Sequence, residues 1–193
     1  ITDSLVGSEM CIRDSSYDST QSKYVENPII FGAKLSGKLG EKYRVGFLNM
    51  QTQKMTSISQ PSINYGMAVI ERRIFSNSRI STFFINKQPL NNERNFLSKS
   101  FNRVAGLELK LLSANTNFSS DLYINNTFDN LKTKNSYSWG GNAVYTTSNI
   151  RITNYFSKVG ENYNPEVGFI TRRNIFFYSP SFRYLFYPSS GLV

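Results

Sequence analysis

From Pro28 to Met50 the chain alternates between apolar and polar positions. Ile29, Phe31, Ala33, Leu35 and Leu39 share one parity, and Ile30, Gly32, Lys34, Ser36 and Lys38 the other. Successive side chains of a strand point to opposite faces, so the pattern predicts a strand with one oily and one mostly wet side. Gly40-Glu41-Lys42 interrupts the run, after which Tyr43, Val45 and Phe47 alternate with Arg44 and Gly46. Two alternating runs about a short Gly-containing turn make a β-hairpin.

Further alternating segments follow, giving strands at about 28–39, 43–53, 63–75, 79–88, 103–112, 117–128, 136–147 and 150–158. Their lengths match the about 9 to 11 residues that a tilted strand needs to cross a bilayer, and exceed the about 5 to 6 usual in soluble sheets. The connections alternate in size. Gly40 to Lys42, Ser76 to Ser78, Ser113 to Thr116 and Thr147 to Asn149 are short, whereas Lys54 to Ser62, Pro89 to Asn102, Asp129 to Asn135 and Val159 to Glu166 are long. Barrels of the outer membrane have this alternation, with short turns on one side and long loops on the other. Pro61, Pro89 and Pro165 fall in long loops, where a missing backbone donor is harmless. The end of the chain predicts a short strand at 167–172 and another at 176–187, with Pro180 forcing a bulge. Glu93, Phe96, Leu97 and Phe101 have helical spacing and predict at most one helical turn within the loop at 90–102.

The fold class is therefore all-β: an antiparallel up-and-down meander forming a partial or small transmembrane β-barrel over residues 28–187. Residues 1–27 are expected to be a disordered or artefactual segment, of which 1–15 resemble sequencing-adapter read-through and carry Cys11. Residues 188–193 are read as a truncated tail. Parity assigns the two sides of the wall. Phe31, Leu35, Val45, Phe47, Met67, Val69, Leu107, Leu109, Leu122, Ile124, Ala143, Ile150 and Ile152 are expected to face lipid. Tyr43, Tyr65, Tyr137, Trp139, Tyr145 and Tyr184 share that parity near strand ends, where aromatic rings suit the membrane interface. The opposite parity gives a lumen lined by Lys34, Lys38, Arg44, Arg72, Lys110, Arg151 and Arg183. Glu108 and Asp121 lie with them, and Gly32, Ser36, Gly66, Gly106, Ser119, Asn125, Ser138, Gly140 and Asn142 fill the remainder. A lysine facing lipid at midplane costs about 2 to 4 kcal/mol, so these cations need water or a polar plug.

Composition narrows the function. No apolar run approaches the about 18 residues of a spanning helix. The chain has 22 Lys and Arg against 13 Asp and Glu, a net charge of +9, which suits anionic partners. It has no histidine, which removes histidine triads, histidine-ligated metals and the usual near-neutral proton shuttle. No cofactor and no metal site is expected. The basic residues do not cluster into a stripe, so nucleic acid is not expected as a partner. A carboxylate pair such as Glu161 and Glu166, or Asp129 with a neighbour, could support hydrolysis, but nothing in the sequence sets a working separation. An enzyme is not the expected reading.

Four stretches carry a resemblance: Phe31-Gly-Ala-Lys-Leu-Ser-Gly-Lys38, Tyr65 to Arg73 with its Glu-Arg-Arg, Arg103-Val-Ala-Gly-Leu-Glu-Leu-Lys110 and Tyr163-Asn-Pro-Glu-Val-Gly-Phe-Ile-Thr-Arg-Arg173. Together they resemble domain of unknown function family 5916, the β-barrel that follows a family 9 carbohydrate-binding-like domain in large exported proteins of Gram-negative bacteria. The resemblance implies an outer-membrane location, lipid of that membrane as a partner, and a glycan reached through a missing N-terminal domain. It implies no catalytic residues. The family's barrel is longer than this chain, so only part of the wall is expected here. The expected function is a membrane-embedded wall with a basic lumen, serving passage of small or anionic solutes or anchoring an exported glycan-associated domain. The alternative is a soluble β-sandwich or lipocalin-like module that binds a sugar or lipid.

Overall fold

The computed structural model describes residues 15–18, 23–56, 60–90, 101–130 and 134–187. β1 (Ser15–Asp18) and β2 (Lys23–Glu26) form a separate two-stranded hairpin within the segment expected to be disordered or artefactual. Nine further strands form one sheet: β3 (Ile29–Leu39), β4 (Tyr43–Thr52), β5 (Ile63–Ile74), β6 (Ser78–Pro89), β7 (Asn102–Leu112), β8 (Phe118–Asp129), β9 (Tyr137–Thr146), β10 (Ile150–Val159) and β11 (Ile175–Tyr184). Each pairs antiparallel with its neighbours in sequence, so the order is a simple up-and-down meander. β3 and β11 are the two edges and do not pair with each other; the sheet is open. There is no helix among the described residues.

The alternation of loop length is physical. Turns at 40–42, 75–77, 113–117 and 147–149 join strands at one end of the sheet, while 53–62, 90–101, 130–136 and 160–174 join them at the other. Three of the short turns contain a residue of positive φ, namely Gly40, Phe75 and Thr116. Left-handed backbone of this kind reverses the chain within a few residues. Two expectations at the C-terminal end are corrected. Residues 167–172 are loop rather than strand. Pro180 sits in β11 with unbroken pairing to Asn154 and no bulge. β11 is an edge, where a strand tolerates a missing donor. The bulge lies elsewhere, at Ile30, and it shifts Ile29 out of the Phe31 parity to sit opposite Thr52. An extra residue of this kind is what a bulge inserts. The candidate helical turn at Glu93, Phe96 and Leu97, like Cys11 and the tail from 188, lies outside the described residues.

Register sorts the two faces, because directly opposed residues share a side. One face carries Phe31, Leu35, Val45, Phe47, Ile70, Phe84, Leu107, Leu109, Leu122, Ile124, Ala143 and Ile152. These side chains are not covered by a second layer: Phe31 is 58% exposed, Leu35 70%, Phe47 51% and Ile124 53%. The other face is concave. Phe83 of β6 and Phe177 of β11 line one cavity, although the four strands between them would hold them far apart in a flat sheet. Only Met50, Ile63, Val104 and Tyr163 are buried hydrophobic residues among those described. The three from strands share the concave parity. Such burial as the sheet achieves is thus mainly on the concave side, and the apolar convex belt is left bare.

Candidate functional site: the concave face and the loop folded over it

Six of the seven predicted lining cations share the concave face. Lys34 and Lys38 of β3, Arg44 of β4, Lys110 of β7, Arg151 of β10 and Arg183 of β11 are connected through consecutive registers, as are Glu108 and Asp121. Arg72 is the correction. It lies opposite Tyr43 and Ile80 on the convex face, with its guanidinium 5.5 Å from the Tyr43 ring centre. Tyr65 is corrected in the other direction, lying on the concave face opposite Met50 and Lys87. The same inversion moves Met67 and Val69 inward and Gly66 outward. The cause is β5 itself. Tyr65, Met67 and Val69 are apolar on one parity while Ala68 and Ile70 are apolar on the other, so alternation alone cannot orient it.

Tyr43, Tyr137, Trp139, Tyr145 and Tyr184 lie on the convex face. Tyr43, Tyr145 and Tyr184 mark the short-turn end, joined there by Phe118 opposite Tyr145. Tyr137 and Trp139 mark the long-loop end, where Trp139 packs with Phe156 and Phe176 at ring distances of 6.0 and 6.3 Å. Beyond the apolar belt at that end the convex face turns polar. Asn49 and Asn64 exchange two side-chain hydrogen bonds of 3.2 Å, and Arg103 donates to Asn86 at 3.0 Å.

The main feature of the concave side is one that alternation does not predict. The loop 160–174 folds inward and rests on the strands instead of projecting away from them. Asn102 of β7, 1% exposed, holds it twice: its Nδ2 donates to the Asn164 carbonyl at 2.8 Å, and its Oδ1 accepts the Glu166 N–H at 3.0 Å. The Asn164 N–H donates to Thr127 Oγ1 at 3.3 Å, and Arg173 donates to the Asn164 side chain. Lys87 Nζ lies 2.9 Å from Glu166 Oε2 with only 15% of the lysine side chain exposed. That commitment removes Glu166 as a free carboxylate partner for Glu161. Tyr163 is buried beside Asn125 and Tyr123; burial pushes its hydroxyl above the ordinary tyrosine range, against a lowering hydrogen bond from Asn125.

The cavity beneath this loop measures about 570 Å³ and is walled by Phe83, Tyr123, Tyr155 and Phe177 from the strands, with Phe169 and Arg172 from the loop. Tyr123 and Ser157 share a 3.0 Å hydrogen bond on its floor. Gly106 leaves the backbone bare where the Phe83 ring crosses it; a Cβ there would overlap both Phe83 and Asn125. A second cavity of about 580 Å³ occupies the short-turn end of the same face and is lined mainly by charged residues. The available signal for the loop anchor is weak: asparagine is disfavoured in strands, and Asn102 opens one. Comparison with known proteins adds no relative: no family model, curated protein or solved structure matches this chain.

Proposed function

We propose that this chain forms part of the wall of an outer-membrane β-barrel whose basic lumen passes small or anionic solutes or anchors an exported glycan-associated domain. In this reading the chain is akin to domain of unknown function family 5916. Lipid of the outer membrane covers the convex face, and a glycan is reached through a further domain of the parent protein. The observation that carries the reading is the distribution of polarity: a single-layer sheet with a bare apolar outside and a hollow that is charged at the short-turn end and aromatic beneath the loop 160–174.

Magnitude favours lipid over water on that outside. Nine strands at about 4.8 Å spacing make a belt roughly 40 Å wide, and three same-face rows make it roughly 20 Å tall, or roughly 800 Å². The largest apolar patch on a typical soluble monomer is about 300 to 600 Å². Hydrocarbon makes such a belt favourable, and the tyrosines and Trp139 at its borders suit the headgroup region. A sandwich would need a second sheet about 10 Å above Phe31 and Leu35, and both are exposed. The inward loop 160–174 then acts as a partial plug, polar where it meets Asn102 and Lys87 and aromatic where Tyr163 fills the hollow.

The test is expression of the parent protein with a secretion signal, followed by membrane fractionation and electrophoresis with and without boiling. The expected result is recovery in the outer-membrane pellet, extraction only with detergent, and altered mobility of the unboiled band. Recovery from the periplasm in plain buffer contradicts the proposal.

A further inference from the structure

We propose that the short-turn end of the concave face is a binding site for a soluble, multiply charged oxyanion of the diphosphate class. The proposal rests on that face being the aqueous side of the wall. Its site is the cavity of about 580 Å³ lined by Lys38, Lys42, Arg44, Arg73, Arg79 and Lys110.

Three of these cations stand in a row on adjacent strands: Arg73 lies directly opposite Arg79, and Arg79 directly opposite Lys110. Like charges directly opposed across a sheet are destabilising, so the arrangement costs stability unless an anion is shared among them. The carboxylates present do not balance the row. Six cations face Glu41, Glu71 and Asp121, a surplus of three. Glu71 lies 3.9 Å from Arg44 and 3.7 Å from Arg79, and Asp121 lies 3.8 Å from Lys110. These are long, partly exposed ion pairs, each worth about 0 to 1 kcal/mol, and they leave most guanidinium N–H groups free. Among the described residues no carboxylate lies within ion-pair distance of Arg73, Lys38 or Lys42. Glu71 thus holds two arginines on either side of itself without satisfying them. Arginine presents its donors as a planar fork that fits two oxygens of a phosphate at once, and the lysines add point charge. Ser76 and Asn77 from the turn supply neutral donors at the rim.

The experiment is calorimetric titration of the full chain, folded in detergent micelles, with inorganic pyrophosphate at low and physiological salt. The variants are Arg73→Gln with Arg79→Gln, Arg73→Lys with Arg79→Lys, and Arg72→Gln with Lys158→Gln, the last removing equal charge from the convex face. The expected result is saturable binding that weakens with salt, at least tenfold weaker in the first double variant, retained within a few fold in the lysine variant, and unchanged in the convex-face control. Without ligand, the Gln variant should unfold at a higher denaturant midpoint than the wild type, because the opposed charges are gone. Equal weakening by both glutamine doubles would reduce the site to diffuse charge and overturn the proposal, as would no saturable binding by the wild type. If the chain folds without detergent yet binds pyrophosphate in this pattern, the membrane reading fails and the anion site stands.

Discussion

Leu107→Arg is expected to destabilise the protein in a phospholipid bilayer by about 2 to 4 kcal/mol, the cost of a cation on the lipid face near midplane. Leu107 is the sixth of eleven residues in β7 and stands between Thr82 and Ile124 in the middle of the convex belt. The matching control is Ser81→Arg on the concave face, where the register places it between Glu71 and Glu108. Its effect should be close to zero, since its head would meet two carboxylates and water. Urea unfolding in phosphatidylcholine vesicles reads both. If the convex face met water instead, an exposed substitution would stay within about 0.5 kcal/mol and the two variants would be indistinguishable.

Asn102→Ala is expected to release the loop 160–174. The substitution strands the Asn164 carbonyl and the Glu166 N–H, which meet Asn102 side-chain atoms at 2.8 and 3.0 Å. An unsatisfied buried group costs about 1 to 3 kcal/mol; allowing for partial rehydration as the loop lifts, the pair should lose about 2 to 3 kcal/mol. Hydrogen exchange of the Glu166 amide should then accelerate roughly 30- to 160-fold. Asn102→Asp keeps the acceptor for Glu166 and loses the donor to Asn164, so its effect should be intermediate. An unchanged exchange rate in the alanine variant would mean that Lys87, Thr127 and Tyr163 hold the loop without Asn102.

The strands are legible in the sequence because a period of two and a set of short turns mark them locally. All eight alternating segments have their counterparts in β3 to β10, with ends displaced by a residue or so. Orientation is legible wherever one parity is clearly apolar, as in Phe31, Ala33 and Leu35 against Lys34 and Ser36. It fails at β5, where Met67 and Ile70 compete from opposite parities and only pairing with Leu48 and Val45 decides. The loop anchor is not legible at all. Asn102 and Asn164 are 62 residues apart, and no periodicity links a strand residue to a loop that folds back over the sheet. The cations at the short-turn end are legible as single residues but not as a row, since Arg73 and Arg79 become neighbours only through the β5–β6 register. Neither arginine is therefore among the predicted lining residues.

The membrane reading of this chain depends on hydrocarbon contacting the convex face, and the chain carries its own probe for that contact. Trp139 is the single tryptophan, lies on the convex face at the long-loop border, and is 38% exposed. The decisive measurement is its fluorescence after reconstitution into vesicles whose acyl chains carry bromine, compared with quenching by iodide in the aqueous phase. Hydrocarbon contact predicts strong quenching by bromolipid, greater with bromine near the headgroup end of the chain than near the midplane, and weak quenching by iodide. Ready quenching by iodide with none by bromolipid would place Trp139 in water and contradict the membrane reading.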